Sequence, residues 1–244
     1  MYKVRKVLVC GVLLSLMMVF AVQTVIAAEI SKDKAPEIAH YIATMIIAGR
    51  GVVARHQDLI NDPNKGDKGF TPEYVEKQML ESFKKMTGKS MDELDPQVRK
   101  VLEQVIDAAK MSVKMNQPRI NKKGVGFKMY IPAVFGRETG QILKSRSNIA
   151  IKQTTFKFRN AYNQPDAFEK KVLKKFEEPG YPKGEGYGEF VGSNYRYLKP
   201  IYIRQACLKC HGEPKGAKDI SGHIKEGYKL GDLRGAISVS FPVK

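Results

Sequence analysis

Ala236-Ile237-Ser238-Val239-Ser240-Phe241 alternates apolar and polar side chains residue by residue, the period of a strand with one buried face. The strand extends in both directions, over Arg234 to Val243. Working back from it, Tyr195–Arg204, Asn148–Phe158 and Phe127–Phe135 are rich in β-branched and aromatic residues and read as further strands. From Gly126 onward the chain therefore predicts a small antiparallel sheet. A short helix from Pro165-Asp166 to about Phe176 is laid on it, and the Gly- and Pro-rich run Glu178–Gly188 reads as a surface loop.

Upstream of Gly126 the period is helical. From Lys34 to about Asn61, Ile38, Tyr41, Ile42, Met45, Ile46, Gly49, Val52, Val53, His56, Leu59 and Ile60 recur at three- and four-residue spacing on one face. Asp62-Pro63-Asn64-Lys65-Gly66 stops that helix. A second is predicted from Pro72 to Met86, closed by Thr87-Gly88. A third runs from Asp95-Pro96 to about Met115, with Val98, Val101, Leu102, Val105, Ile106, Ala109 and Val113 on its stripe. The fold class is α+β: a helical part over 29–121 and a sheet-containing part over 122–244, forming one structural unit. There is also a faint internal echo. His56-Gln57-Asp58-Leu59-Ile60-Asn61 is followed by Gly69-Phe70 and Pro72, and Asn116-Gln117-Pro118-Arg119-Ile120-Asn121 by Gly126-Phe127 and Pro132. One pair is too few for a repeat architecture, but it suggests two loops meeting one body.

Residues 1–28 read as an export signal. Lys3, Arg5 and Lys6 form a positive start, Val7 to Val25 is almost wholly apolar, and Val25-Ile26-Ala27-Ala28-Glu29 offers small residues for cleavage. The expected location is the periplasm; an uncleaved signal would instead be a membrane anchor. Cys10 falls inside the discarded segment, which leaves Cys207 and Cys210 in the mature chain. The protein is strongly basic, with 42 Lys and Arg against 25 Asp and Glu. For an exported protein this excludes nucleic acid as the natural partner and points to anionic lipid, acidic redox partners or anionic groups on a cofactor.

The chemistry is concentrated in Cys207-Leu208-Lys209-Cys210-His211. With 3 Cys and 4 His in 244 residues, C-x-x-C-H is a poor coincidence and is the attachment pattern of c-type haem. Each thiol adds across one vinyl group of a single haem c, and His211 then lies under the iron as the proximal ligand. A thioredoxin-type C-x-x-C needs no following His, and a structural zinc site wants a second ligand pair that is absent from the sequence. For the sixth iron ligand, His56 on the apolar stripe of the first helix is the leading candidate, with His40, His223, Met45, Met111 and Met115 behind it. Arg159, Lys152 and Tyr187 are candidates for the haem propionates by charge and polarity alone.

Several stretches together resemble the exported c-type haem domains with a PAS-like sheet found as periplasmic sensing parts of bacterial chemoreceptors and histidine kinases. They are Arg159-Asn160-Ala161-Tyr162-Asn163-Gln164-Pro165-Asp166-Ala167-Phe168-Glu169, the C-x-x-C-H with Gly212, and Gly231-Asp232-Leu233-Arg234-Gly235-Ala236-Ile237-Ser238-Val239. The likeness covers nearly the whole mature chain. Ala161 departs from the Pro expected after Arg-Asn. No transmembrane, kinase or methyl-accepting segment follows Lys244, so the resemblance implies the haem module without its usual output. It implies a non-enzymatic, single-haem module that senses redox state or a diatomic gas. The alternatives are a stand-alone electron carrier docking an acidic partner and, further off, a haem peroxidase. A homodimer would let the first helix reach a neighbour's haem.

Overall fold

Each of the four long helices carries a proline in its first turn, where the missing N–H costs nothing. A computed structural model describes residues 29–244; the export-signal reading of 1–28 lies outside the described residues. The helices are α1 (Ala35–Arg55), continued by the single turn α2 (Gln57–Asn61), α3 (Pro72–Thr87), α4 (Pro96–Ile120) and α5 (Pro132–Arg146). Side-chain oxygens of Thr71 and Asp95 cap α3 and α4 by accepting from Tyr74 N and Gln97 N. The four strands are β1 (Ala150–Thr154), β2 (Tyr187–Val191), β3 (Asn194–Tyr202) and β4 (Leu233–Pro242), every neighbouring pair antiparallel, in the order β1-β4-β3-β2. With α6 (Ala167–Glu177) and α7 (Gln205–His211) this makes an α+β fold of seven α-helices and one sheet among the described residues. None of these helices is long and apolar enough to cross a membrane.

The sheet separates two cores, as the alternation in β4 requires. Ile237, Val239 and Phe241 join Tyr195 and Tyr197 against the bundle, where α1 crosses β3 and β4. Ala236, on the other face, meets Leu198 and the apolar stripe of α6, Phe168, Val172, Leu173 and Phe176. Burying one such side chain contributes about 1.5–3 kcal/mol, so both faces are strongly specified.

Three expectations from the sequence are corrected. Phe127–Phe135 is not a strand: it is the end of a loop and the first turn of α5. That helix was hidden because Gly136 and Gly140 interrupt its stripe. Gly140 is needed for close approach, since a Cβ there would stand 2.7 Å from the Ile151 carbonyl oxygen of β1. The third helix runs past Met115 to Ile120 with Pro118 inside its last turn. The Gly-rich stretch before residue 188 ends in β2, whose pairing with β3 no periodicity announced.

The internal echo is a real repeat, in a different register from the one the Gly-Phe pairs suggest. At an offset of 60 residues Pro36, Gln57, Ile60, Asn61, Gly66, Lys68 and Pro72 recur as Pro96, Gln117, Ile120, Asn121, Gly126, Lys128 and Pro132. Gly69-Phe70 therefore matches Met129-Tyr130, and Gly69 and Met129 both have positive φ, 62° and 58°. The two loops exchange bonds reciprocally. Lys68 N donates to Asn121 Oδ1 (3.1 Å) and Lys128 N to Asn61 Oδ1 (2.8 Å). Gln117 Nε2 donates to Phe70 O (2.8 Å) and Gln57 Nε2 to Tyr130 O (2.9 Å). The buried ammonium groups of Lys68 and Lys128 both donate to Asp62 O, at 2.9 and 3.4 Å.

Asn121→Ala strands the buried Lys68 N–H, and its expected cost is about 1–3 kcal/mol, read as a lower urea midpoint. Asn61→Ala should behave alike at Lys128; an exposed-surface response of under about 0.5 kcal/mol would contradict the exchange. His40, whose Nδ1 lies 3.0 Å from Tyr197 Oη, is lowered by burial, with help from Lys199, to about 4. Unfolded histidine protonates near pH ~6.5, so between that value and about 4 the unfolded state binds more protons and stability falls as pH falls. His40→Gln should flatten that part of the stability–pH curve relative to wild type.

Candidate functional site: the cleft at the Cys207–His211 helix

Positions i, i+3 and i+4 of a helix share one face, so α7 presents Cys207, Cys210 and His211 together. All three line one cleft between α7, the helical bundle and the sheet. Both cysteines are free thiols, and burial raises that of Cys210. The opposite walls come from the bundle, through Arg50 and Ala54 of α1 and Phe127, Ile131 and Pro132 leading into α5. Gln153 and Thr154 of β1 and Arg234 and Gly235 of β4 form the floor. Gly235 has φ 148°, and a Cβ on it would overlap the Thr154 carbonyl oxygen, so only glycine lets β4 close on β1 here.

His211 is held from behind. Its Nδ1 is 2.8 Å from Glu226 Oε2, and its carbonyl oxygen accepts from Tyr228 N at 2.9 Å. A carboxylate on Nδ1 fixes the tautomer that leaves the Nε2 lone pair bare. Among the described residues no group hydrogen-bonds Nε2. Burial, reinforced by Arg234, lowers His211 to about 4, against the opposing pull of Glu226, so the ring is neutral near pH ~7.

Arg159 locks this arrangement to the helix. Its Nε and Nη2 donate to Glu226 at 2.6 and 2.8 Å, Nη1 to Asp219 at 2.7 Å, and Nη2 also to the Cys210 carbonyl oxygen at 2.8 Å. Burial works to raise both carboxyls, but the hydrogen bonds win. Ser221 and Arg159 bring Asp219 down to about 2, and Arg159 and His211 hold Glu226 below its ordinary value.

The structure brings Cys207, Cys210 and His211 together and leaves the candidates for the sixth iron ligand outside the cleft lining. His56 lies where α1 breaks into α2. Its Nδ1 is 2.8 Å from Val52 O and its Nε2 2.8 Å from Tyr74 Oη, with Phe70 and Tyr74 against the ring, so both nitrogens are engaged on the far side of the bundle loop. His40 faces Tyr197, and His223 closes a turn on Ser221 and Asp219. Met45 is buried in the bundle core, and Met115 is 64% exposed. Of the three polar candidates only Arg159 reaches the cleft: Lys152 pairs with Glu169, and Tyr187 donates to Glu189. Among the described residues no cluster of three or more His, Cys, Asp or Glu could itself hold a metal ion. Sequence reading missed Glu226, Asp219, Arg50 and Arg234. The one available signal was the pair of acids, Asp219 and Glu226, between Lys215 and Lys229.

Arg159→Leu would leave Asp219, fully buried at its side chain, and Glu226 without their counter-charge. The expected loss is about 3 kcal/mol in urea unfolding. Arg159→Lys should recover only part of it, because a single ammonium cannot reproduce the fork of bonds.

No curated protein matches the chain significantly. A solved structure, that of the cyanobacterial heme-protein Tll0287, is similar at 17% identity with a TM-score of 0.44, over 61% of this chain and 97% of that one. The model of the Tll0287-like family matches residues 28–242, nearly the whole of the described protein, and the chain belongs to the Tll0287-like family.

Proposed function

We propose that the protein is an exported, single-haem c-type cytochrome module that senses redox state or a small ligand. Cys207 and Cys210 would hold the haem through thioethers, and His211 would be its proximal ligand. The observation that carries this reading is the convergence of two free thiols and a neutral imidazole, its Nδ1 held by Glu226, on one cleft. The fit extends to charge, since Arg50, Arg159 and Arg234 line the same cleft and haem carries two propionates. The family's namesake is described as a haem-protein, which supports the same cofactor. When bound, the haem would supply an iron centre able to change oxidation state or take a sixth ligand.

The chain's own residues favour sensing over plain electron transfer. Among the described residues lining the cleft, His211 is the single imidazole and there is no methionine. A strong sixth ligand of the kind usual in electron carriers is therefore not offered from the opposite wall. A stand-alone electron carrier is the second reading, favoured by one observation. Ile220, Ile224 and Leu230 are exposed on the loop after α7, amid Lys215, Lys218, Lys225 and Lys229, a surface that suits an acidic redox partner. Neither reading requires catalysis.

Wild-type protein exported in a host that matures c-type cytochromes should keep haem through denaturing electrophoresis. Cys207→Ala with Cys210→Ala should lose it, and haem that stays covalently bound to the double variant would sink the proposal. In the reduced wild-type protein carbon monoxide should shift the Soret band; a spectrum unmoved by the gas would transfer support to electron transfer.

A further inference from the structure

The repeat exposes one deliberate asymmetry. Arg50 on α1 is equivalent to Lys110 on α4, and Gly136 on α5 to Glu76 on α3. In one half, Lys110 Nζ and Glu76 Oε2 form a cross-helix ion pair at 2.6 Å. In the other half the cation is kept and the carboxylate is deleted: the position facing Arg50 is glycine. The space is not taken up by another acid. A Cβ on Gly136 would stand 3.1 Å from the Gln153 side-chain amide and 3.4 Å from Arg50 Cδ.

Arg50 therefore enters the cleft wall without a counter-charge. Among the described residues no carboxylate pairs with it, and its hydrogen bond is from Nη1 to the Pro132 carbonyl oxygen at 3.2 Å. Most of its fork of N–H donors is left over. Burial, with Arg234 adding repulsion, lowers its pKa to about 10, the direction expected of a cation short of a partner. The other two arginines of the cleft are better served. Arg159 has Asp219 and Glu226, and Arg234 donates to Thr155 Oγ1 at 3.0 Å with Glu226 at 3.9 Å. A partly buried guanidinium that lacks an anion carries a desolvation cost, and it is retained where an anion arrives from outside the chain.

We propose that Arg50 is an anion receptor in the cleft wall, taking a carboxylate or comparable small anion in the place that Glu76 fills in the other half of the bundle. The anion has two sources with the same chemistry, a propionate of the haem or a free carboxylate entering the cleft. The first rests on the haem reading above; the second does not.

The test uses the full exported chain, and haem retention on a denaturing gel is scored first, so that failure of the haem reading is seen separately. Acetate is then titrated calorimetrically into wild type, Arg50→Gln, Arg50→Lys and Gly136→Glu, and the reduction potential of each is followed against pH. If the source is a free carboxylate, wild type binds acetate. Arg50→Gln then weakens binding tenfold or more, Arg50→Lys restores part of it, and Gly136→Glu competes it away with an internal carboxylate. If the source is a propionate, wild type does not bind acetate. Arg50→Gln then lowers the potential and moves its pH dependence to higher pH, because the propionate loses the charge that keeps it ionised; Arg50→Lys returns both toward wild type. Acetate affinity equal in wild type and Arg50→Gln overturns the inference. So does an absence of acetate binding together with an unchanged potential–pH profile. Gly136→Glu leaves Arg50 in place and decides the same question if Arg50→Gln does not fold: a profile and affinity identical to wild type overturn the proposal.

Discussion

The reciprocal exchange between the loops after α2 and α4 is the constraint on which the rest of the structure depends. Each loop carries backbone N–H groups that its own residues do not satisfy, and each lends an asparagine to the other. The exchange is reinforced by Gln57 and Gln117, whose amides reach across to Tyr130 O and Phe70 O. Buried polar groups of this kind stabilise modestly when paired and cost heavily when not. Neither loop can therefore move alone. Because Gln57, the first residue of α2, lines the cleft beside Arg50 and Ala54 of α1, and Tyr130 leads into Ile131 and Pro132, the same bonds tie together the two helical walls of the cleft.

Starting from a near-symmetric bundle, the cleft is made by breaking the symmetry at a few equivalent positions. Leu80 on α3 becomes Gly140 on α5, which lets β1 approach to contact; the sheet can dock on that side and not on the other. Glu76 becomes Gly136, which admits Gln153 and frees Arg50. Tyr74, which engages His56, becomes Val134, while Asn116 in the place of His56 turns inward to Glu138 at 2.6 Å. The two exchanges to glycine, at 136 and 140, are the ones that open the bundle toward β1.

Much of this was legible in the sequence where the signal is local. The stripes of α1 and α4 are long, and one buried face of β4 shows as strict alternation. Cys207, Cys210 and His211 lie within one turn and a half, so no tertiary knowledge is needed to group them. What failed was non-local. α5 was invisible because its glycines serve the neighbouring strand rather than their own helix, and Phe127–Phe135 looked β-rich only because an aromatic loop runs into a helix start. His56 sits on the apolar stripe, but α1 ends at Arg55, and the break gives its ring local partners on both nitrogens. Glu226 reaches His211 across 15 residues and Arg159 reaches Cys210 across 51, and charge, the ground on which Arg159 was a candidate, does not say which partner each will meet.

The cleft is electrostatically two-sided, and this follows from which charges the fold has already paired. Around α7, Arg159 is matched by Asp219 and Glu226, so the residues that hold the thiols and the imidazole form a closed and rigid set. On the α1 wall Arg50 has no such match, and Arg234 between the two walls shares Glu226 only at 3.9 Å. A neutral ligand would leave that imbalance in place, at the desolvation cost of a partly buried cation. An occupant bearing carboxylates removes it, because its anionic groups would lie toward the α1 wall while its attachment chemistry lies toward α7. In the proposed reading a covalently tethered porphyrin would carry that polarity within one molecule, joining the charge pattern on the α1 wall to the C-x-x-C-H motif about 150 residues along the chain.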